Sequence, residues 1–166
     1  HLKLIGPKAS SKSYYPKNDF VYVLHNSLPY NSGGYAARAH GLSLGLQKQG
    51  FRFQAITRPG YPYDQDNYDE IKESKKSLHV IDGINYQRIE NPKRGRKFKT
   101  DYIHEAVAAY LECFRQYKPA VVISASNYVC ALPALSAARI LGVPFVYEVR
   151  GFWEISRISR DPVYEN

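Results

Sequence analysis

The chain has 166 residues, of which 44% are hydrophobic and 23% charged, the size and composition of one globular domain with a hydrophobic core. Its net charge of +8 favours an anionic partner, but no recognised nucleic-acid motif accompanies the charge, which argues against nucleic acid. No apolar run reaches the roughly 20 residues of a membrane-spanning helix, and the apolar stretch at the N-terminus is too short for the signal peptide of a secreted protein.

The N-terminal part of the sequence predicts a strand, a glycine-containing loop and a helix. Residues 1–18 are rich in Lys, Ser and Pro and are predicted to form an extended lead-in to the domain. The apolar run 20–25 predicts a buried strand, and the pattern over 34–49 predicts a helix that Gly50 ends. A second strand is predicted over 51–57, followed by a loop rich in Pro, Gly, Tyr and Asp.

A hairpin and a basic segment follow in the middle of the chain. Two short strands, 78–81 and 84–89, are joined by Asp82-Gly83, a dipeptide typical of tight hairpin turns. Residues 93–99 are mostly Lys and Arg. Two interpretations of this segment are open: a solvated basic loop, or a patch for an anion such as the lipid phosphates of a membrane or an acidic glycan.

The C-terminal part of the sequence alternates helices with strands. Thr100 is predicted to cap a helix that runs to Tyr117. The apolar segment 120–123 is typical of a strand in a parallel sheet that is covered on both faces. A helix over 128–141 and a strand over 145–149 continue the pattern. The alternation predicts an α/β fold, with a Rossmann-like, mostly parallel sheet and helices on both of its faces.

A candidate phosphate site lies where three predicted loops meet at the carboxyl edge of such a sheet. The loops are 26–34, 124–127 and 150–154. The first leads into a helix whose free N–H groups suit a phosphate, and the glycines Gly33 and Gly34 let a ligand approach the main chain. Arg38, one turn into the helix, adds a positive charge. The alternatives are a turn that needs positive φ at the glycines and an arginine that is simply solvated.

Polar and aromatic side chains in or next to these loops are candidates for binding the hydroxyl groups of a sugar or an acceptor. They are Asn31, Tyr35, Ser124, Ser126, Asn127, Arg150 and Glu154. Asn127 has the alternative role of capping the next helix, and Arg150 and Glu154 have that of a mutual salt bridge. No residue is assigned a catalytic role, because a lone histidine such as His25 at this edge is more often structural.

Three segments resemble the N-terminal domain of family 4 glycosyltransferases, the retaining enzymes of the GT-B fold. They are Leu24-His-Asn-Ser-Leu-Pro-Tyr-Asn-Ser-Gly-Gly34, Lys118-Pro-Ala-Val-Val-Ile-Ser-Ala-Ser126 and Ala137-Ala-Arg-Ile-Leu-Gly-Val-Pro-Phe-Val-Tyr-Glu-Val-Arg-Gly151. The resemblance covers residues 20–154. It implies that 19–166 form the Rossmann-like, acceptor-side domain of such an enzyme, incomplete at its C-terminal end, and that the donor-binding C-terminal domain is absent from this chain.

The resemblance also implies an activity: transfer of a sugar, with retention, from a UDP- or GDP-linked donor to a hydroxyl of a glycan or lipid-linked acceptor. The pathway implied is the assembly of a glycan or cell-surface polysaccharide. The donor diphosphate would lie against Gly33, Gly34 and Arg38, and the later loops would line the acceptor cleft. Many members have a histidine where this chain has Arg150, so a binding role is carried over to Arg150 and no catalytic base. Without the C-terminal domain, negligible transferase activity is expected.

The competing class is a non-catalytic α/β module that binds a phosphorylated ligand or an anionic polymer, with 93–99 supplying the charge. In the transferase interpretation, the same segment would hold a cytoplasmic enzyme at the anionic inner face of a membrane. The two cysteines, Cys113 and Cys130, suit this compartment, because they lie on apolar helix faces and are predicted to be buried, reduced thiols. No metal-ligand spacing is present, and neither a metal nor a tightly bound cofactor is expected.

Overall fold

A computed structural model of the protein describes residues 15–65, 76–94, 99–125, 127–151, 155, 158 and 159. Within these ranges the chain forms six strands and three helices. In chain order they are β1 (Asn18–Leu24), α1 (Gly34–Lys48), β2 (Phe53–Thr57), β3 (Leu78–Ile81), β4 (Ile84–Gln87), α2 (Lys99–Tyr117), β5 (Pro119–Ala125), α3 (Tyr128–Leu141) and β6 (Phe145–Glu148). None of the helices in the described ranges combines the length and apolar character that a bilayer crossing requires.

The strands form one sheet in the order β3-β4-β2-β1-β5-β6. All neighbouring strands are parallel except β3 and β4, which are antiparallel. The central strand β1 pairs with β2 and β5, so that Val21 lies opposite both Gln54 and Val122. Its last five residues are buried, as a parallel strand covered on both faces requires.

Helices cover both faces of this sheet. The side chains of β1 alternate between the two faces, and each face needs an apolar layer to bury them. On one face, Val21 and Val23 pack with residues of α2 and α3, among them Phe114 and Ala134. On the other face the layer includes α1 and the hairpin strands, and its buried members are Phe20, Tyr22, Leu24, Ala39, Ala55, Ile84, Tyr86 and Ala125. The predicted Rossmann-like α/β architecture is therefore confirmed.

Local turn chemistry explains where several elements end. Asp82 and Gly83 have φ of 50° and 79°, the left-handed pair that a tight hairpin needs, and they join β3 to β4 as predicted. Gly142, with φ of 70°, ends α3 in a left-handed C-cap. The predicted cap of α2 is wrong: the helix begins at Lys99, so Thr100 lies inside the helix and does not cap it.

The two thiols behave as the sequence predicts. Both cysteines are free, with Cys130 fully buried in the layer between the sheet and α3 and Cys113 half-buried on α2. Burial raises the pKa of each thiol to about 11, so neither is a reactive thiolate at neutral pH. The two side chains are therefore packing residues.

Candidate functional site

The loop after β6 and the first turn of α1 are joined by Arg150 at the carboxyl edge of the sheet. Its Nη1 donates a hydrogen bond of 2.9 Å to the main-chain oxygen of Tyr35, and its guanidinium carbon lies 4.5 Å from the centre of the Tyr35 ring. The guanidinium also donates to the hydroxyl of Tyr22 on β1. Two of the three predicted loops therefore meet at this edge, as the parallel topology requires.

Glu148, the last residue of β6, is the carboxylate that pairs with the arginines at this edge. Its carboxylate accepts hydrogen bonds from Arg150 Nε at 2.9 Å and Nη2 at 3.0 Å, and from the Tyr22 hydroxyl at 2.6 Å. Burial would raise the pKa of Glu148, but the hydrogen bonds from Arg150 and Tyr22 outweigh burial and hold it below its usual range. The same ion pair raises the pKa of Arg150 against the effect of its burial, so both groups stay charged.

Arg38 is the exposed cation of this group. Its Nη2 lies 3.6 Å from Glu148 Oε1, and its side chain is 56% exposed. An exposed pair at this distance contributes little to stability, so the Arg38 side chain is free to turn toward a ligand. With Arg150 it places two arginines around one carboxylate, which leaves this edge with an excess of positive charge.

The glycine loop has open space at the start of α1. Gly33 is the N-cap and makes no side-chain capping bond, and no acidic residue occupies the first turn of the helix. A Cβ built on Gly34 would have no other atom within 4 Å. The alternative considered for these glycines, a turn that needs positive φ, does not apply, because Gly33 has φ of −62° and neither glycine is in the left-handed region. What the glycines provide is access to the N–H groups of the helix start.

Several predicted sugar-binding residues have structural roles. Ser124 lies in β5 and not in the predicted loop, and its side chain is fully buried, so the placement of its hydroxyl at the edge is wrong. Asn31 Oδ1 accepts a bond of 3.0 Å from the Gly33 N–H, which shapes the glycine loop. The Tyr35 hydroxyl accepts a bond of 3.1 Å from the His25 N–H. Ser126 and Glu154 lie outside the described residues, as does most of the basic segment 93–99.

Asn127 caps α3. Its Oδ1 accepts a hydrogen bond of 3.1 Å from the Val129 N–H, the alternative role considered for this residue. The substitution Asn127→Ala is therefore expected to lower the free energy of unfolding by about 1 kcal/mol in urea denaturation. Asn127→Asp, which retains the capping oxygen, is the control and should stay within a few tenths of a kcal/mol of the parent. Equal stability of the alanine variant and the parent would contradict the capping role.

The sequence prediction missed Glu148 and Tyr22 as members of this site. One signal was present: in Glu148-Val149-Arg150 the two charged residues are two apart, which places them on one side of an extended segment. Tyr22 gave no such signal, because its contact with Glu148 crosses from β1 over β5 to β6. Within the described ranges, no group of three or more His, Cys, Asp or Glu side chains is arranged to hold a metal ion.

A second group of charges is buried in the segment that follows β2. Arg58 and Asp64 form a two-bond ion pair with N–O distances of 2.6 and 2.9 Å, and their side chains are 5% and 1% exposed. The Arg94 N–H donates to the same carboxylate at 2.9 Å. Gly60 has φ of 84°, and a Cβ there would come within 2.7 Å of the Pro92 oxygen, so this loop requires glycine.

An apolar groove of about 210 Å³ lies beside α3 and β6. Its two tyrosines, Tyr128 and Tyr147, are half-exposed. In the sequence, Tyr128 follows Asn127 and Tyr147 precedes Glu148. The groove is lined by Tyr128, Ala131, Leu132, Leu135, Phe145 and Tyr147. The groove lies on the α3 side of β6, which Phe145 and Tyr147 face, whereas Glu148 faces the opposite side of the sheet, where it contacts Tyr22 and Arg38.

This arrangement can be compared with known proteins. A family model described as a glycosyl transferase 4-like domain matches residues 33–164. The chain belongs to this family. The match includes Gly33, Gly34, Arg38, Glu148 and Arg150, so both sides of the charged edge belong to the family domain.

The fold of this glycosyl transferase 4-like domain is also found in a solved structure. The crystal structure of MurG from Acinetobacter baumannii matches with a TM-score of 0.52 at 21% sequence identity. The match covers 86% of this chain and 39% of the MurG chain, so the domain spans well under half the length of that structure. At this identity the likeness concerns the fold. No curated protein sequence matches the chain significantly.

Proposed function

We propose that this glycosyl transferase 4-like domain is the acceptor-side half of a retaining hexosyltransferase. The enzyme would transfer a sugar from a UDP- or GDP-linked donor to an acceptor hydroxyl in the assembly of a glycan or cell-surface polysaccharide. The observation that carries the proposal is the open start of α1 at Gly33 and Gly34, which lies next to the positively charged group of Arg38, Glu148 and Arg150. Helix N–H groups and arginines are the donors that diphosphates bind in proteins.

The chemistry proposed for these residues is stabilisation of the leaving diphosphate. Negative charge grows on the bridging oxygen as the bond to the sugar breaks, and fixed N–H donors lower the barrier because they need no reorganisation. In this proposal the first-turn amides at Gly34 and the exposed Arg38 contact the diphosphate. Arg150 holds Tyr35 and so fixes the direction of that turn. No catalytic base is assigned.

The acceptor is proposed to be a glycan or a lipid-linked sugar. The apolar groove with Tyr128 and Tyr147 supports this proposal, because aromatic faces stack on sugar rings. Asn31, Ser126 and Glu154 remain proposed contacts to acceptor hydroxyls. We further propose that a C-terminal domain adds nucleotide contacts to those of this half, that this chain alone is inactive in sugar transfer, and that 93–99 contacts an anionic membrane from the cytoplasm.

The test compares two glycine substitutions in α1. Gly34→Val places a branched side chain over the helix-start amides and is expected to weaken UDP or GDP binding at least about tenfold in calorimetric titration. Gly41→Val is the matched control, because Gly41 lies on the same helix and also has no atom near a built Cβ. Equal losses in both variants, or no saturable nucleotide binding by the parent protein, would contradict the proposed donor site.

A second candidate function is a non-catalytic module for an anionic polymer, which the net charge of +8 favours. Such binding would be strongly salt-dependent and would be lost on neutralising the basic residues of 93–99. Titration with a sulfated polysaccharide at two salt concentrations separates the two functions. Salt-sensitive polymer binding without nucleotide binding would favour the module.

A further inference from the structure

Arg88, which directly follows β4, is a buried cation that the proposed donor site does not include. It is 3% exposed, and it makes no ion pair with any of the residues that the structure describes. Its guanidinium carbon lies 5.5 Å from the ring centres of Tyr30 and Tyr61 and 5.7 Å from that of Tyr86. Rings at these distances attract a cation and hold its position, so the side chain is fixed in place.

The two ends of the Arg88 guanidinium contact the loop between β1 and α1. Nη1 donates a hydrogen bond of 2.6 Å to Ser27 Oγ, and Nη2 donates to the main-chain oxygen of Leu28. The two acceptors are adjacent in sequence, and the planar fork of an arginine fits them in one orientation. A charged donor makes these bonds stronger than bonds between neutral groups.

A continuous series of hydrogen bonds leads from this contact to the helix start. The Ser27 main-chain oxygen accepts from the Asn31 N–H at 3.1 Å and from the Tyr61 hydroxyl at 2.9 Å. Asn31 Oδ1 accepts from the Gly33 N–H at 3.0 Å, and the Gly33 oxygen accepts from the Ala37 N–H at 3.0 Å. Each bond fixes the residue on which the next depends, so the position of Ser27 determines the shape of the loop up to the first turn of α1.

We propose that Arg88 is a positioning residue for the nucleotide site: by holding Ser27 and Leu28, it fixes the glycine loop in the conformation that presents the α1 amides to a diphosphate. The inference rests on the proposed function for the identity of the ligand, whereas the effect on the loop is independent of any ligand. Lysine cannot replace Arg88, because a single ammonium does not reproduce the two parallel donors of the fork.

The test uses two substitutions that remove parts of this contact from the protein. Arg88→Lys keeps the positive charge but loses the fork, and Ser27→Ala removes one acceptor while leaving Arg88 intact. Arg52→Lys is the matched control for the first, because Arg52 is an exposed arginine, 71% accessible, paired with Asp19. Val122→Ala is the control for general destabilisation, because Val122 is fully buried in β5.

Two measurements are made on each variant. Amide hydrogen exchange reports the protection of the Asn31 and Gly33 N–H groups, and titration with UDP and GDP reports nucleotide affinity. We expect Arg88→Lys and Ser27→Ala each to reduce protection at the two amides and nucleotide affinity by about tenfold. We expect Arg52→Lys to change neither, and Val122→Ala to lower the melting temperature without a selective change at the two amides.

Each outcome decides between the positioning role and a general one. Unchanged exchange at Asn31 and Gly33 in Ser27→Ala and in folded Arg88→Lys would overturn the positioning role. The same selective change in Val122→Ala would also overturn it. Faster exchange at Asn31 and Gly33 with the nucleotide affinity of the parent would show that Arg88 fixes the loop but does not position the nucleotide site. If the parent binds no nucleotide and the amide effect is present, the proposed function fails while the loop role of Arg88 is supported. If Arg88→Lys does not fold, Ser27→Ala alone decides.

Discussion

Replacing Asp64 by asparagine is expected to lower the free energy of unfolding by about 3–5 kcal/mol. The substitution leaves the guanidinium of Arg58 buried without its counter-charge, because Arg58 and Asp64 are 5% and 1% exposed. It also weakens the bond from the Arg94 N–H, which the same carboxylate accepts. The loss is large because water cannot reach the remaining charge and replace the missing carboxylate. Urea denaturation of parent and variant measures the difference.

The exposed pair Arg52–Asp19 provides a matched control for this prediction. Its side chains are 71% and 40% exposed, so Asp19→Asn is expected to cost less than about 1 kcal/mol. The pKa of Asp64 is lowered because its bonds to Arg58 outweigh the effect of burial. Its contribution is therefore present above the pKa of the unfolded state and is lost as the pH falls. A cost for Asp64→Asn as small as that for Asp19→Asn would show that the buried pair is replaceable.

The second large effect is expected at His25. Burial lowers its pKa from 6.5 to about 4, and the positive charges of Arg58 and Arg94 add to this shift while Asp64 opposes it. The unfolded chain therefore binds a proton between pH 6.5 and about 4 that the folded protein does not bind. Stability falls as the pH is lowered through this window, by about 3 kcal/mol in total from this one residue. Below the window the loss is complete and does not grow.

The measurement is the slope of unfolding free energy against pH in the parent and in His25→Gln. Other groups titrate in the same range, so the difference between the two slopes isolates His25. His104→Gln is the control, because His104 is exposed on α2. We expect the slope to decrease in His25→Gln only. Identical slopes in all three proteins would contradict a neutral His25 with a lowered pKa.

The element order could be predicted from the sequence because local chemistry determines it. Asp82-Gly83 adopts the left-handed turn that joins the hairpin, and Gly142 ends α3, each through its own backbone preference. The predicted cap at Thr100 failed, because α2 begins at Lys99 and the threonine lies inside the helix. Packing can shift the end of a helix by one or two residues, and sequence patterns do not encode that shift.

The candidate site was only partly predictable. Parallel topology brought Arg150 to the start of α1, as expected, because strand ends share one edge. Its carboxylate partner was missed: a salt bridge to Glu154 was considered as an alternative role, whereas Glu148 pairs with Arg150, as their spacing of two in an extended segment allows. Ser124 was placed in a loop because β5 extends further than its apolar run, and a small hydroxyl is tolerated inside a strand. The role proposed for Arg88 depends on contacts to Ser27 and Leu28 that no local pattern contains.

The central position of β1 determines the order in which this domain can fold. Phe20 pairs with Phe53 on one side and with Val121 on the other, so the strand is complete only after β5 has been synthesised. Within the described residues, the β3–β4 hairpin is the sheet pairing whose two strands are adjacent in sequence, so that it forms without closing a long loop. Parallel pairings between distant segments form slowly, and an apolar strand that waits for its partner is prone to aggregate. During synthesis, the β5 side of β1 therefore stays unpaired until the chain has been made as far as Ala125.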